Sequence, residues 1–202
     1  MNKFCIHFIA FFTILNCSYA LAADGVANGK NWLVGSIGAG VSAGTIGNSS
    51  GSIQKRSITS TSVIARIGLL SGFLEPFVMG EYMYSLQSTP ASLAENTNMG
   101  GRGYVAGGGL GLHINNLTIS GALLPSGTYT LMQSNSAGEQ VIYTEPVGVR
   151  FRLSYKFNSW LTGSAFYRNL QFTKSTTAGT TSDIGDDRLS HVNTGLALEW
   201  GF

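Results

Sequence analysis

Charge, cysteine and long apolar runs are all scarce in this chain of 202 residues. Asp, Glu, Lys and Arg together make up 11% of it, against about 25% in an ordinary soluble domain. A net charge of only +2 with no basic cluster excludes a nucleic-acid binder. The two cysteines, Cys5 and Cys17, both lie near the start, so the rest of the chain has no disulfide and no thiolate chemistry. No later segment offers the roughly 20 uninterrupted apolar residues of a membrane helix. The best candidate, 63–80, contains Arg66, Gly68, Gly72, Glu75 and Pro76. What remains is a chain with 27 glycines and little charge, which suits either a membrane β-barrel or a Gly/Ser-rich soluble β-sandwich.

The start of the chain has the layout of a secretory signal peptide. Lys3 supplies a positive n-region, 4–15 an apolar h-region broken by His7, and Ala20-Leu21-Ala22 a small-x-small cleavage site. The expected division is therefore a signal peptide over 1–22 and one barrel domain over 23–202. Lipidation at Cys17 is disfavoured by Asn16 just before it.

Beyond that segment, hydrophobicity alternates at period two in eight runs: 32–44, 57–70, 73–86, 103–114, 117–132, 140–157, 160–174 and 189–202. Ser71-Gly72, Asn115-Asn116 and Asn158-Ser159 read as tight turns, because Asn and Gly tolerate positive φ. The breaks 45–56, 87–102, 133–139 and 175–188 are longer and rich in Ser, Thr, Asn and Gly. Short and long connections in strict alternation are the rhythm of an up-and-down barrel in an outer membrane, with short periplasmic turns and long external loops. A strand of about ten residues, tilted about 45°, covers some 23 Å of bilayer, and every run is long enough.

Alternation also sorts the faces. In 147–157, Val147, Val149, Phe151, Leu153, Tyr155 and Phe157 point one way, and Gly148, Arg150, Arg152, Ser154 and Lys156 the other. Charge on a lipid face at mid-membrane costs about 2–4 kcal/mol, so Arg150 and Arg152 are expected inside. The same reasoning turns Arg66, Glu75, Glu81 and Glu199 inward, with Phe73, Phe77, Met79 and Met83 beside them. Three cations and three anions then balance as an internal network in a lumen that side chains fill. Trp32, Tyr155, Phe157, Trp160, Trp200 and Phe202 fall toward the turn end, and Tyr82, Tyr84, Tyr104, Tyr143 and Tyr167 toward the loop end, as two interface girdles. Glu145 misfits, because strict alternation aims it at lipid. Pro146 beside it points to a bulge that either swings Glu145 inward or marks the outer rim.

No catalytic or metal-binding constellation stands out, and no cofactor is expected. His113 and His191 fall on inward positions and read as structural groups; Ser190 and His191 are adjacent and so face opposite ways. Asp183, Asp186 and Asp187 lack the spacing of a calcium loop. Gly107-Gly108-Gly109 has no helix after it and is no phosphate loop.

The ending Leu196-Ala197-Leu198-Glu199-Trp200-Gly201-Phe202, the stretch Phe73-Leu74-Glu75-Pro76-Phe77-Val78-Met79-Gly80-Glu81-Tyr82 and the loop rhythm resemble the small eight-stranded outer-membrane barrels: the OmpA transmembrane domain, the OmpX/Ail group and the opacity-type surface proteins. The resemblance implies an all-β, eight-stranded antiparallel barrel in the bacterial outer membrane with loops at the cell surface. It implies a C-terminal signal at Leu198, Trp200 and Phe202 for the barrel assembly machinery. Further expected partners are outer-membrane lipids, lipopolysaccharide and an extracellular or host-surface ligand, with a monomer as the default because a closed barrel has no free edge. The function expected first is a non-enzymatic surface protein in adhesion, host interaction or envelope integrity. The alternative is a small porin-like solute channel gated by the Arg/Glu interior.

Overall fold

The computed structural model describes residues 32–48, 55–87, 99–133 and 140–202. The expected signal peptide over 1–22 and both cysteines lie outside the described residues. Eight long strands, β1 (Trp32–Gly47), β2 (Arg56–Leu70), β3 (Leu74–Gln87), β4 (Met99–Ile114), β5 (Leu117–Gln133), β6 (Gln140–Lys156), β7 (Leu161–Thr177) and β9 (Leu189–Gly201), run antiparallel, with a short β8 (Thr180–Asp183) between the last two. Each long strand pairs with the next, and β9 pairs with both β7 and β1, so the sheet closes on itself. The last residue completes the seam: Phe202 N–H donates to Gly35 O (2.9 Å) and Gly35 N–H to Phe202 O (3.0 Å).

At the short-turn end, two turns differ from the expected ones. The first uses Gly72 and Phe73, not Ser71 and Gly72, since Ser71 and Leu74 exchange both backbone bonds. Only Gly72 has positive φ (61°), the pattern of a hairpin turn with glycine first. Phe73 therefore leaves the strand and is exposed, and does not point inward. The third turn spans Asn158, Ser159 and Trp160, because the Asn158 side-chain oxygen accepts the N–H groups of Trp160 (3.0 Å) and Leu161 (2.8 Å). Asn115 and Asn116 form a two-residue turn, with Asn115 at φ 56°.

At the other end the strands run longer than alternation alone suggests. The break expected over 175–188 holds an ordered ribbon: β7 continues to Thr177, turns at Ala178 and Gly179, both with positive φ, and returns as β8. A strand of 17 residues such as β6, tilted about 45°, rises about 40 Å, well beyond a belt of about 25 Å.

That excess length changes what each face carries. Near the turns the outside is apolar (Leu69, Val78, Leu112, Ile119, Phe151, Leu198), as lipid requires, and the inside is charged. Near the loops the outside carries Thr59, Thr61, Thr130, Gln171 and Thr173, and the inside is a hydrophobic core of Ile46, Ile58, Leu131, Phe172 and Leu189. Tyr143 belongs to this core and not to an outer girdle: it is buried, its ring 6.4 Å from that of Phe172.

The changeover coincides with a break in alternation. β5 carries an extra residue between Leu123 and Ser126 opposite Ala106–Gly108 of β4, so inward positions pass from Leu124 to Gly127, Tyr129 and Leu131. β6 shifts in step: Tyr143 and Pro146 are both buried, and Glu145 between them, at φ 53°, stays outside. Glu145 marks the outer rim, paired with Lys174 Nζ at 2.7 Å. A direct consequence follows for stability. Phe172→Ala, emptying the loop-end core, should cost about 3–5 kcal/mol in urea unfolding of the refolded barrel, whereas lipid-facing Phe151→Ala should cost less than half as much.

Candidate functional site

The lumen is where polar chemistry is concentrated, and it is built in tiers. Nearest the turns, Glu75 on β3 binds Arg66 of β2 (2.9 Å) and His113 Nε2 of β4 (2.5 Å), and His113 Nδ1 lies 3.1 Å from the Thr118 hydroxyl of β5. In the same tier Glu199 on β9 accepts from Arg152 (2.5 Å), Ser36 (3.0 Å) and Ser164 (2.9 Å). Above it, Glu81 reaches across the lumen from β3 to Arg150 and to Arg168 (2.6 Å). Arg150 and Arg168 face each other directly in the β6–β7 register, a like-charge pair that only a shared carboxylate makes tolerable. Arg66 stacks over Phe77 (3.7 Å) and Arg150 over Phe166 (4.0 Å), using guanidinium planes where water is excluded.

The next tier is neutral. Asn193 Nδ2 donates to Ser42 and Ser60, both at 3.0 Å; Ser60 and Ser85 hydroxyls meet at 2.7 Å; Ser85 meets His191 Nε2 at 3.3 Å. His191 is fully buried, its ring 5.1 Å from that of Tyr129. Then the hydrophobic core begins.

The balance of three cations and three anions is corrected by Arg168, which is fully buried on β7. In these tiers, among the described residues, four arginines meet three glutamates. Arg168 sits in phase with Ser164, Phe166, Leu170 and Phe172, all buried, so period two along β7 carried the signal.

Thr118, His113 and Glu75 form a row of hydroxyl, imidazole and carboxylate, the order used in nucleophilic catalysis. Here Glu75 is already neutralised by Arg66, and Thr118 is buried beside the Asn115–Asn116 turn. The row joins β3, β4 and β5.

On the outside, Tyr82, Tyr84, Tyr155, Phe157, Trp160 and Trp200 are all exposed, with Tyr155 and Phe157 edge to face at 5.4 Å. The side chain of Trp32 lies outside the described residues. Leu198 and Trp200 point outward, while the Phe202 ring lies over Gly35, where any Cβ would strike it. Within the lumen, the cavity among Arg66, Phe77, Met79, Ser120, Arg150 and Arg152 holds about 10 Å³.

Solved structures of small eight-stranded barrels align with this closed arrangement. Neisserial surface protein A aligns with a TM-score of 0.54 at 15% identity, over 84% of this chain and 96% of that one. This chain has the fold of the small outer-membrane β-barrels. Ail, the attachment invasion locus protein of Yersinia pestis, aligns with a TM-score of 0.54 at 14% identity, over 84% of this chain and 97% of that one. Ail in complex with the heparin analogue sucrose octasulfate gives 0.52 at 15% identity, with 84% and 97% covered. No protein-family model matches the sequence, and no curated protein matches it.

The tiers differ sharply in what a substitution should do. Glu81→Gln leaves two buried guanidinium groups without their shared counter-ion and should cost about 3–5 kcal/mol by urea titration. Glu145→Gln, on the exposed rim, should leave the same titration unchanged.

Proposed function

We propose that this chain is a non-enzymatic surface protein of the bacterial outer membrane, its barrel an anchor and its loop end the part that meets molecules outside the cell. The observation that carries this reading is the double closure of the lumen. The cavity among the Arg/Glu tiers holds about 10 Å³, and an apolar core of Ile46, Ile58, Tyr129, Leu131, Phe172 and Leu189 lies across the path above it. A solute channel gated by ion-pair exchange finds ion pairs to exchange in the lower tiers. In the upper core the apolar side chains of Ile46, Ile58, Leu131, Phe172 and Leu189 offer it only packing.

The loop end is built to be presented. Its strands stand clear of the lipid belt, its outer face is hydroxyl-rich and water-compatible, and the β7–β8 ribbon extends from it. Ail's complex with a heparin analogue makes polyanionic cell-surface sugars a reasonable first ligand class to assay. The belt of Leu, Val, Ile and aromatic side chains suits outer-membrane lipid and lipopolysaccharide. Leu198 and Trp200 on the closing strand, with Phe202 just after it, suit recognition by the assembly machinery. Full closure of the barrel favours a monomer.

Planar-bilayer recording of the refolded protein, paired with binding of expressing cells to a panel of host cells and sugars, tests this reading. Silent membranes together with binding lost when 175–188 is replaced by a short Asn-Gly turn are the expected results. Reproducible single-channel steps, or binding indifferent to the loops, would overturn it.

A further inference from the structure

The lower tiers of the lumen, among the described residues, carry one positive charge more than they balance. Among the described residues, Arg66, Arg150, Arg152 and Arg168 face Glu75, Glu81 and Glu199. Arginine stays protonated at any accessible pH, so the surplus cannot be removed by losing a proton.

Three of these arginines converge. Arg66, Arg150 and Arg152, from β2 and β6, line one cavity with Ser120, Phe77 and Met79. Each has a buried nitrogen with no acceptor: Nε of Arg66, Nη2 of Arg150 and Nε of Arg152. The side chains of Arg66 and Arg150 are 5% and 3% exposed, so bulk water does not serve them. Arg150 is the least well compensated of the three, because Arg168 shares its only carboxylate. Buried donors without acceptors are rare in native proteins and signal a missing partner. A cavity of about 10 Å³ takes a single atom-sized occupant and is too small for sulfate or phosphate.

We propose that the lumen binds one small monovalent anion of halide size between Arg66, Arg150 and Arg152. The anion restores neutrality in the lower tiers and accepts the three orphaned N–H groups at once. It is a structural ligand, and folding of the barrel is linked to its concentration by mass action.

The test uses the refolded protein in micelles. Crystals grown or soaked in sodium bromide should show an anomalous bromine peak among the three guanidinium groups. In parallel, the temperature at which the barrel loses its compact gel mobility should rise by about 5 °C when gluconate is exchanged for bromide at constant ionic strength. Ser120 lies opposite Arg152 in the β5–β6 register, so Ser120→Asp supplies the absent carboxylate from within the chain. That variant should melt higher in gluconate and lose the bromide response. A water molecule in place of bromine, or a bromide response equal in the wild-type and Ser120→Asp proteins, would overturn the proposal. If Ser120→Asp fails to fold, the bromine density in the wild-type crystal decides alone.

Discussion

Everything in this molecule depends on backbone hydrogen bonds that lipid cannot supply. In a bilayer each unpaired N–H or C=O is costly, so a sheet survives there only by closing on itself. Closure here rests on β9, which pairs with β7 on one side and β1 on the other, and on Phe202, which donates to and accepts from Gly35. Gly35 carries no side chain, and that absence lets the terminal ring settle over the seam. Once the ring of strands is complete, every side chain must face either outward or into a narrow lumen.

What fills the lumen then follows from what lies outside it. Within the lipid belt the exterior takes the apolar residues, and the interior receives the polar ones, which must satisfy one another. Beyond the belt the exterior meets water, and the interior becomes a hydrophobic core like that of a soluble barrel. The bulge at Leu123–Ser126 and the kink at Glu145-Pro146 sit at this boundary. They shift the parity of two adjacent strands together, so that the register between β5 and β6 is kept. Glu145 is thereby left on the rim, where Lys174 meets it.

The two halves stabilise the fold differently. The loop-end core gains by burying apolar surface. The turn-end tiers gain little net energy from ion pairs, whose attraction is offset by desolvation, but they make any other arrangement of those strands expensive. A carboxylate shared by two arginines, as at Glu81, ties β3 to β6 and β7 across the lumen, and guanidinium groups stacked on Phe77 and Phe166 hold neighbouring strands to one register.

Period two along each strand was enough to read the all-β class, the eight long strands, and the faces of Arg66, Arg150, Phe151 and Leu198, because side-chain direction in a strand is a local property. Turn positions were legible only to within a residue, since Ser71, Gly72 and Phe73 differ little in local preference until the Ser71–Leu74 bonds choose among them. Three things were decided by tertiary structure alone. The parity shift in β5 and β6 exists only relative to the neighbouring strands. The partnership of Glu81 with Arg150 and Arg168 joins residues far apart in the chain. The apolar core of the loop end was hidden because Tyr143 looks the same in sequence whether its ring faces lipid or the lumen. Sequence determines which way a side chain leaves its strand; only the closed barrel determines what it meets there.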